Sequence, residues 1–232
     1  MHPFSGLATR EDGAVCVCCR SHPIGNIQEQ TLEEIWNGDN MKRIRKQVLG
    51  GNRPKECEPC FSLEDQGVES LRLRHVLGKI PEARIKLYPN AVSKMNSEFE
   101  MPFEIPTMEL KLNNLCNLKC RICGSWSSSK WAQEEIAYGP NPLAKKQLDE
   151  GQWPKRNPAF FEDIKPVLRD VEYFEFTGGE PWLIQEHFEV LNFAVQQGYS
   201  KNIDIHYNTN ATQSALPYVD LFKQFGRVDI AF

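Results

Sequence analysis

The chain has 232 residues, 41% of them hydrophobic and 25% charged, and its 27 Lys and Arg against 31 Asp and Glu leave a formal net charge of −4. That is the composition of an ordinary globular chain, which excludes intrinsic disorder and collagen-like fibres and leaves room for one domain plus a smaller one. No run of about 18 apolar residues occurs, and Met1 to Arg10 carry neither a basic stretch nor a long apolar one, so neither a membrane span nor a secretory leader is expected. The slightly acidic total gives no electrostatic case for nucleic acid as a partner.

In chain order, Phe4, Leu7 and Ala8, a turn at Glu11-Asp12-Gly13, and the alternating Val15 and Val17 predict a hairpin. Thr31-Leu-Glu-Glu34 is a capping box that predicts a helix start, with Ile35 and Trp36 following. A second cap is expected at Asp39. Beyond it Met41, Ile44 and Val48 share one helical face, which turns Lys42, Arg43, Arg45 and Lys46 mainly outward as a solvated face. Residues from Pro81 to Ile105 are rich in Pro and polar side chains and read as a connector.

From Pro106 onward, Met108 to Leu112, Val171 to Phe176, Ile203 to Tyr207 and Val228 to Phe232 predict four strands. Helical stretches are expected near Trp126 to Tyr138, Phe160 to Leu168, Leu183 to Gln197 and Ser214 to Phe225, an alternation that argues a parallel sheet. The tract from Tyr138 to Pro158 reads as mostly irregular, either a substrate-side insertion or a long surface loop. The chain stops in or at the end of its fourth strand, and we expect it to be a fragment of a longer protein.

The eight cysteines fall into three groups: Cys16, Cys18 and Cys19; Cys57 and Cys60; Cys116, Cys120 and Cys123. Grouped spacings in a chain without export signals point to metal ligation in a reducing, cytoplasmic setting rather than to disulfides. Cys116-Asn-Leu-Lys-Cys120-Arg-Ile-Cys123 directly follows the first of the later strands. A [4Fe–4S] cluster usually takes four cysteines, so three leave one iron for an outside ligand. Thr177-Gly-Gly-Glu-Pro181 follows the second strand and Asn208-Thr-Asn210 the third. Polar loops thus follow three successive strands, where α/β barrels build active sites. His75, His187 and His206 each lack a partner at ligand spacing and read as surface or core histidines. Trp126 and Trp131 are expected to pack the helix after the cysteine loop.

These motifs resemble the radical S-adenosylmethionine superfamily. The resemblance implies that Cys116, Cys120 and Cys123 hold a [4Fe–4S] cluster and that Gly178, Gly179, Glu180 and Pro181 receive the methionine end of S-adenosylmethionine. It implies Asn210 beside the cofactor, and Ile122, where relatives often carry an aromatic residue, offering a backbone contact alone. The implied reaction is reductive cleavage of S-adenosylmethionine, fed by an electron donor, followed by abstraction of a substrate hydrogen; no side chain is assigned to the chemical step itself.

The N-terminal part resembles the SPASM/twitch module, through the hairpin ending in Cys18-Cys19, Gly25-Asn-Ile27, Leu32-Glu-Glu-Ile-Trp-Asn37 and Pro54-Lys-Glu-Cys57-Glu-Pro-Cys60. In those enzymes the module follows the barrel and holds an auxiliary iron–sulfur cluster; here it precedes it. Cys57, Cys60 and one of Cys18 and Cys19 would be ligands, with Cys16 as a candidate fourth. A structural zinc knuckle is the alternative for these five cysteines.

The fold expected is therefore α/β: a partial parallel (βα) barrel of the radical S-adenosylmethionine type over residues 106–232, preceded by a small α+β iron–sulfur module over residues 1–80 and a connector over 81–105. Relatives of the module act on ribosomal peptides, other proteins, sugars and aminoglycosides, of which we favour a peptide or protein substrate. The rival from another class is a non-catalytic scaffold binding zinc or a cluster, which accounts for the cysteines but not for Gly178 to Pro181 after a strand.

Overall fold

The computed structural model describes residues 2–77, 91–151 and 153–232; residues 81–90 of the connector and the side chain of His75 lie outside the described residues. Seven short strands form one sheet: β1 (Gly6–Thr9), β2 (Ala14–Cys16), β3 (Pro23–Asn26), β4 (Thr107–Lys111), β5 (Tyr173–Thr177), β6 (Asp204–Asn208) and β7 (Arg227–Ala231). Their order is β3-β2-β1-β4-β5-β6-β7. From β4 to β7 every pairing is parallel, as the alternation of strands and helices predicts. The expected hairpin is β1–β2, extended antiparallel by β3, with Gly13 taking a φ of +81° in its turn.

β1 also pairs in parallel with β4, Leu7 opposite Met108 and Ala8 opposite Glu109. The N-terminal strands and the later ones therefore share one mixed, mostly parallel sheet. Nothing local in the sequence announces this junction, because pairing between distant segments leaves no periodic signature. Along the strands alternate side chains face opposite ways. Met108, Leu110, Phe174, Phe176, Ile205 and Tyr207 enter one core with Trp36, Ile44, Trp153 and Leu191. Each such side chain contributes about 1.5–3 kcal/mol when fully buried. Glu109, Lys111, Glu175 and His206 alternate with them and are only half-buried.

The capping box forms as predicted at α1 (Leu32–Trp36): Glu34 N–H donates to Thr31 Oγ1 at 3.2 Å and Thr31 N–H to Glu34 Oε2 at 2.8 Å. At α2 (Asp39–Leu49) the residue at the cap position is Gly38, with no side-chain bond, so the cap expected at Asp39 is not made. Asp39 instead lies in the first turn, where its charge suits the helix dipole. Arg45, expected outward, is fully buried: Nε donates to Pro3 O at 2.8 Å, and one terminal nitrogen donates at 3.0 Å to both Asn37 Oδ1 and Phe99 O. Its guanidinium lies 4.5 Å from the Trp36 ring centroid, and burial pushes its pKa down to about 10.

Two further helices, α3 (Glu58–Asp65) and α4 (Leu71–Val76), complete the N-terminal part. After β4 come α5 (Ser129–Tyr138), α6 (Pro142–Glu150) and α7 (Trp153–Arg156), so the tract expected to be irregular is largely helical. Its Pro and Gly punctuate helices rather than break them: Pro142 starts α6 and Gly151 ends it. Trp153 is fully buried and donates from Nε1 to Arg10 O at 3.1 Å, while Asn157 Nδ2 donates to Ile27 O at 2.7 Å. This tract buttresses the N-terminal strands. α8 (Ala159–Ile164) precedes β5 and α9 (Glu186–Gln196) precedes β6. The helix expected over Ser214 to Phe225 shrinks to a 3-10 turn at Leu216–Tyr218 and α10 (Val219–Phe222), because Pro217 offers no N–H to a helix running through it. Among the described residues no helix is long and apolar enough to cross a membrane.

Candidate functional site

Three loops meet beyond the C-terminal ends of β4, β5 and β6. Gly179 N–H donates to Asn113 O at 3.2 Å and Glu180 N–H to Leu115 O at 2.8 Å, so the loop after β5 runs alongside the segment leading into Cys116. This approach explains both glycines. A Cβ on Gly179 would fall 1.9 Å from Leu115 O, and one on Gly178, whose φ is +127°, 2.5 Å from Asn113 O. The two glycines that the resemblance gives to the cofactor are thus also needed for close approach to the protein's own chain.

Glu180 is fully buried. Its Oε1 accepts from Thr209 Oγ1 at 2.7 Å and from Trp182 N–H at 3.2 Å, and its Oε2 from Asn210 N–H at 2.8 Å. Asn210 Nδ2 in turn lies 3.6 Å from Cys116 Sγ and 3.1 Å from Asn117 Oδ1. Asn117 Nδ2 donates to Thr212 Oγ1 at 2.8 Å, and Thr212 N–H to Asn210 Oδ1 at 3.0 Å. Between them Ala211 takes a φ of +56°, a conformation costly outside glycine and one that its N–H bond to Thr209 Oγ1 helps to hold. Thr212 and Asn117 escape a reading by motif, since hydroxyl and amide side chains in loops are ordinary turn formers. Pro181 is buried and opens the 3-10 turn Pro181–Leu183.

The cysteine loop is fixed from α5. Cys116 N–H donates to Ser129 Oγ at 3.3 Å, Ser128 Oγ to Leu118 O at 2.6 Å and Trp131 Nε1 to Cys120 O at 3.0 Å. Trp131 thus ties its helix to the loop, while Trp126 stays half-exposed over Gly124. Cys120 is exposed and Ile122 is 91% exposed. Burial and then the neighbouring Cys120 and Cys116 push the Cys123 thiol up. Among the described residues no three His, Cys, Asp or Glu side chains are grouped closely enough to hold a single metal ion.

The N-terminal cysteines divide. Cys18, Cys57 and Cys60 line a cavity of about 370 Å³ together with Val17, Phe61 and Leu71. Cys57 is pushed up to about 12 by burial and then by Cys18 and Cys60, and burial raises Cys18 as well. Thiols held out of water are costly to ionise, and a cationic iron or zinc centre that takes up their charge removes that cost. Ser21 Oγ accepts from Val17 N–H at 3.1 Å and Cys18 N–H at 3.3 Å, which shapes the first ligand turn. The second is anchored by Glu56, whose carbonyl accepts from His22 N–H at 3.0 Å and whose carboxylate takes Arg43 at 2.6 and 3.3 Å.

Cys16 and Cys19 instead border a second cavity, of about 450 Å³, which reaches Glu109, Lys111, Gly178 and Asn208 at the strand ends. Of the vicinal pair it is therefore Cys18 that lines the cavity with Cys57 and Cys60. Cys16 is fully buried, and burial raises its pKa to about 11 against the pull of Arg10. Burial and Glu109 raise Cys19. Inside the same cavity Lys111 pairs with Glu11 at 3.0 Å. His187 is a core histidine: Nδ1 lies 2.6 Å from Ile184 O and burial pushes its pKa down to about 3. His206, on β6, is half-buried.

Among protein-family models, residues 1–61 match the SPASM iron–sulfur cluster-binding domain. The match takes in β1 to β3, α1, α2 and all five N-terminal cysteines, and ends before the loop of Cys116, Cys120 and Cys123. No curated protein and no solved structure matches the chain.

Proposed function

We propose that the chain is a radical S-adenosylmethionine protein: a partial (βα) barrel over residues 106–232 preceded by a SPASM module that carries an auxiliary iron–sulfur cluster. The observation that carries this reading is the cross-linking of three strand-end loops through Glu180 and Asn210, which brings the Gly-Gly-Glu-Pro segment against the cysteine loop. In this reading Cys116, Cys120 and Cys123 hold a [4Fe–4S] cluster, and three thiols in an exposed loop suit a centre that keeps one iron open. Cys18, Cys57 and Cys60 hold the auxiliary cluster, and Cys16 and Cys19 face the substrate side.

When bound, the reduced cluster and S-adenosylmethionine supply the electron and the radical that removes a substrate hydrogen. The protein's own part is positional. Asn210 points an amide N–H at the Cys116 sulfur, which helps to fix where that sulfur sits. Glu180, fixed from two sides, holds the loop that would receive the methionine end of the cofactor, and Ile122 offers its backbone to the adenine. A peptide or protein substrate would enter the cavity that Gly178 and Asn208 border, and a separate reducing protein would deliver the electron.

Anaerobic reconstitution followed by EPR of the dithionite-reduced protein tests this directly. A [4Fe–4S] signal that changes on adding S-adenosylmethionine, and that the Cys116→Ala/Cys120→Ala/Cys123→Ala variant lacks, is the expected result. A spectrum indifferent to S-adenosylmethionine in the unaltered chain would defeat the reading and leave a cluster- or zinc-binding scaffold.

A further inference from the structure

Two arginines, Arg53 and Arg72, stand beside the N-terminal cysteines. Phe61 directly follows Cys60, and the guanidinium carbons of Arg53 and Arg72 lie 4.8 and 4.7 Å from its ring centroid. All three residues line the cavity of Cys18, Cys57 and Cys60. The two arginines differ in their surroundings. Arg53 pairs with Asp65 at 2.7 Å where both side chains are more than half exposed (56% and 58%), so water and salt screen its charge. Arg72 is held by Glu64 through Nε at 3.0 Å and through a terminal nitrogen, and Glu64 is only 10% exposed and also takes the Ser70 hydroxyl. The stacked, forked geometry fixes this guanidinium in a partly desolvated place, where charge acts with less screening.

We propose that Arg72, held by Glu64 and Phe61, sets the reduction potential of the auxiliary cluster. The inference rests on the reading that Cys18, Cys57 and Cys60 hold an iron–sulfur cluster. Reduction adds one electron, taken in the test from dithionite, to a centre that its thiolates make negative, with no bond made or broken. A fixed positive charge stabilises the reduced form more than the oxidised one, and a fixed carboxylate does the reverse.

The two neighbours therefore have opposite signatures. Arg72→Leu lowers the potential, Glu64→Gln raises it, and Arg72→Lys stays nearer the unaltered value because it keeps the charge. General loosening of the module would not move the potential in opposite directions. The measurement is an EPR-monitored redox titration of the full chain carrying Cys116→Ala/Cys120→Ala/Cys123→Ala, so that only the auxiliary cluster contributes, with iron and sulfide analysis of each variant. For Arg72→Leu we expect at least a tenfold fall in the reduction equilibrium constant, about 59 mV for one electron. Equal cluster content with a potential unmoved by both Arg72→Leu and Glu64→Gln overturns this inference alone. If Arg72→Leu does not fold, the rise or absence of a rise in Glu64→Gln decides it. Absence of iron and sulfide from the background chain overturns the cluster reading and the inference with it.

Discussion

At Glu180 a buried carboxylate is held by three donors, two of them from the loop after β6. Glu180→Gln keeps one acceptor oxygen but turns an NH2 group toward a donor, which leaves a buried N–H or O–H unsatisfied and costs about 1–3 kcal/mol. Chemical denaturation reads this loss, and a smaller EPR response to S-adenosylmethionine accompanies it; unchanged stability would mean that the loop contact is not made. At Glu56, burial works against the charged form, but the paired bonds of Arg43 outweigh it and hold the carboxyl below the usual range. A carboxyl held low contributes stability that is full above its unfolded pKa of about 4.3 and is lost as pH falls through the native value. Arg43→Ala is therefore less stable at neutral pH and has a flatter acid limb, checked by denaturation midpoints from pH 7 to pH 3. Parallel curves for the two proteins would contradict the pairing. At this scale some residues are legible and others are not. Thr31 and Glu34 announce their cap because the bonds lie within one turn, whereas Arg45 reads like its neighbours in a basic run because the carbonyls that bury it, of Pro3 and Phe99, are remote in sequence.

Among the elements, the loop after β5 is the most constrained. Gly179→Ala places a methyl group where Leu115 O already sits. The loop must separate from the cysteine segment, so we expect a destabilisation well above the roughly 1 kcal/mol that a compatible Gly→Ala exchange moves, together with loss of the cofactor-dependent signal. A variant with wild-type melting would show that the two segments are not in contact. Trp153 in α7 is the corresponding test of the tract after α5. It is fully buried and bonded to the N-terminal turn, and Trp153→Ala is expected to cost about 3–5 kcal/mol in thermal or chemical unfolding. A cost below about 1 kcal/mol would return that tract to the surface. The four later strands are legible because alternation and β-branched or aromatic residues mark each one locally. The tract of α6 and α7 is not, since Pro142 and Gly151 look like breakers until the helix between them is known.

At the scale of the whole molecule, the pairing of β1 with β4 puts the segment that matches the SPASM domain and a strand-end site on one sheet. The cavity bordered by Cys16 and Cys19 reaches Gly178 and Asn208, so the second pair of N-terminal cysteines opens toward the loops that follow β5 and β6. Grouped spacing makes the cysteine clusters readable from sequence, but not the division of the five N-terminal ones, which depends on where β2 and the turn of Glu56 carry them. The central claim is that both the module and the strand-end loop are iron–sulfur sites. The most direct measurement is the iron, acid-labile sulfide and zinc content per chain after anaerobic reconstitution. The account predicts about eight iron and about eight sulfide for two [4Fe–4S] clusters, falling to about four of each when either Cys116, Cys120 and Cys123 or Cys18, Cys57 and Cys60 are replaced by alanine. Zinc at both sites with no sulfide would contradict it.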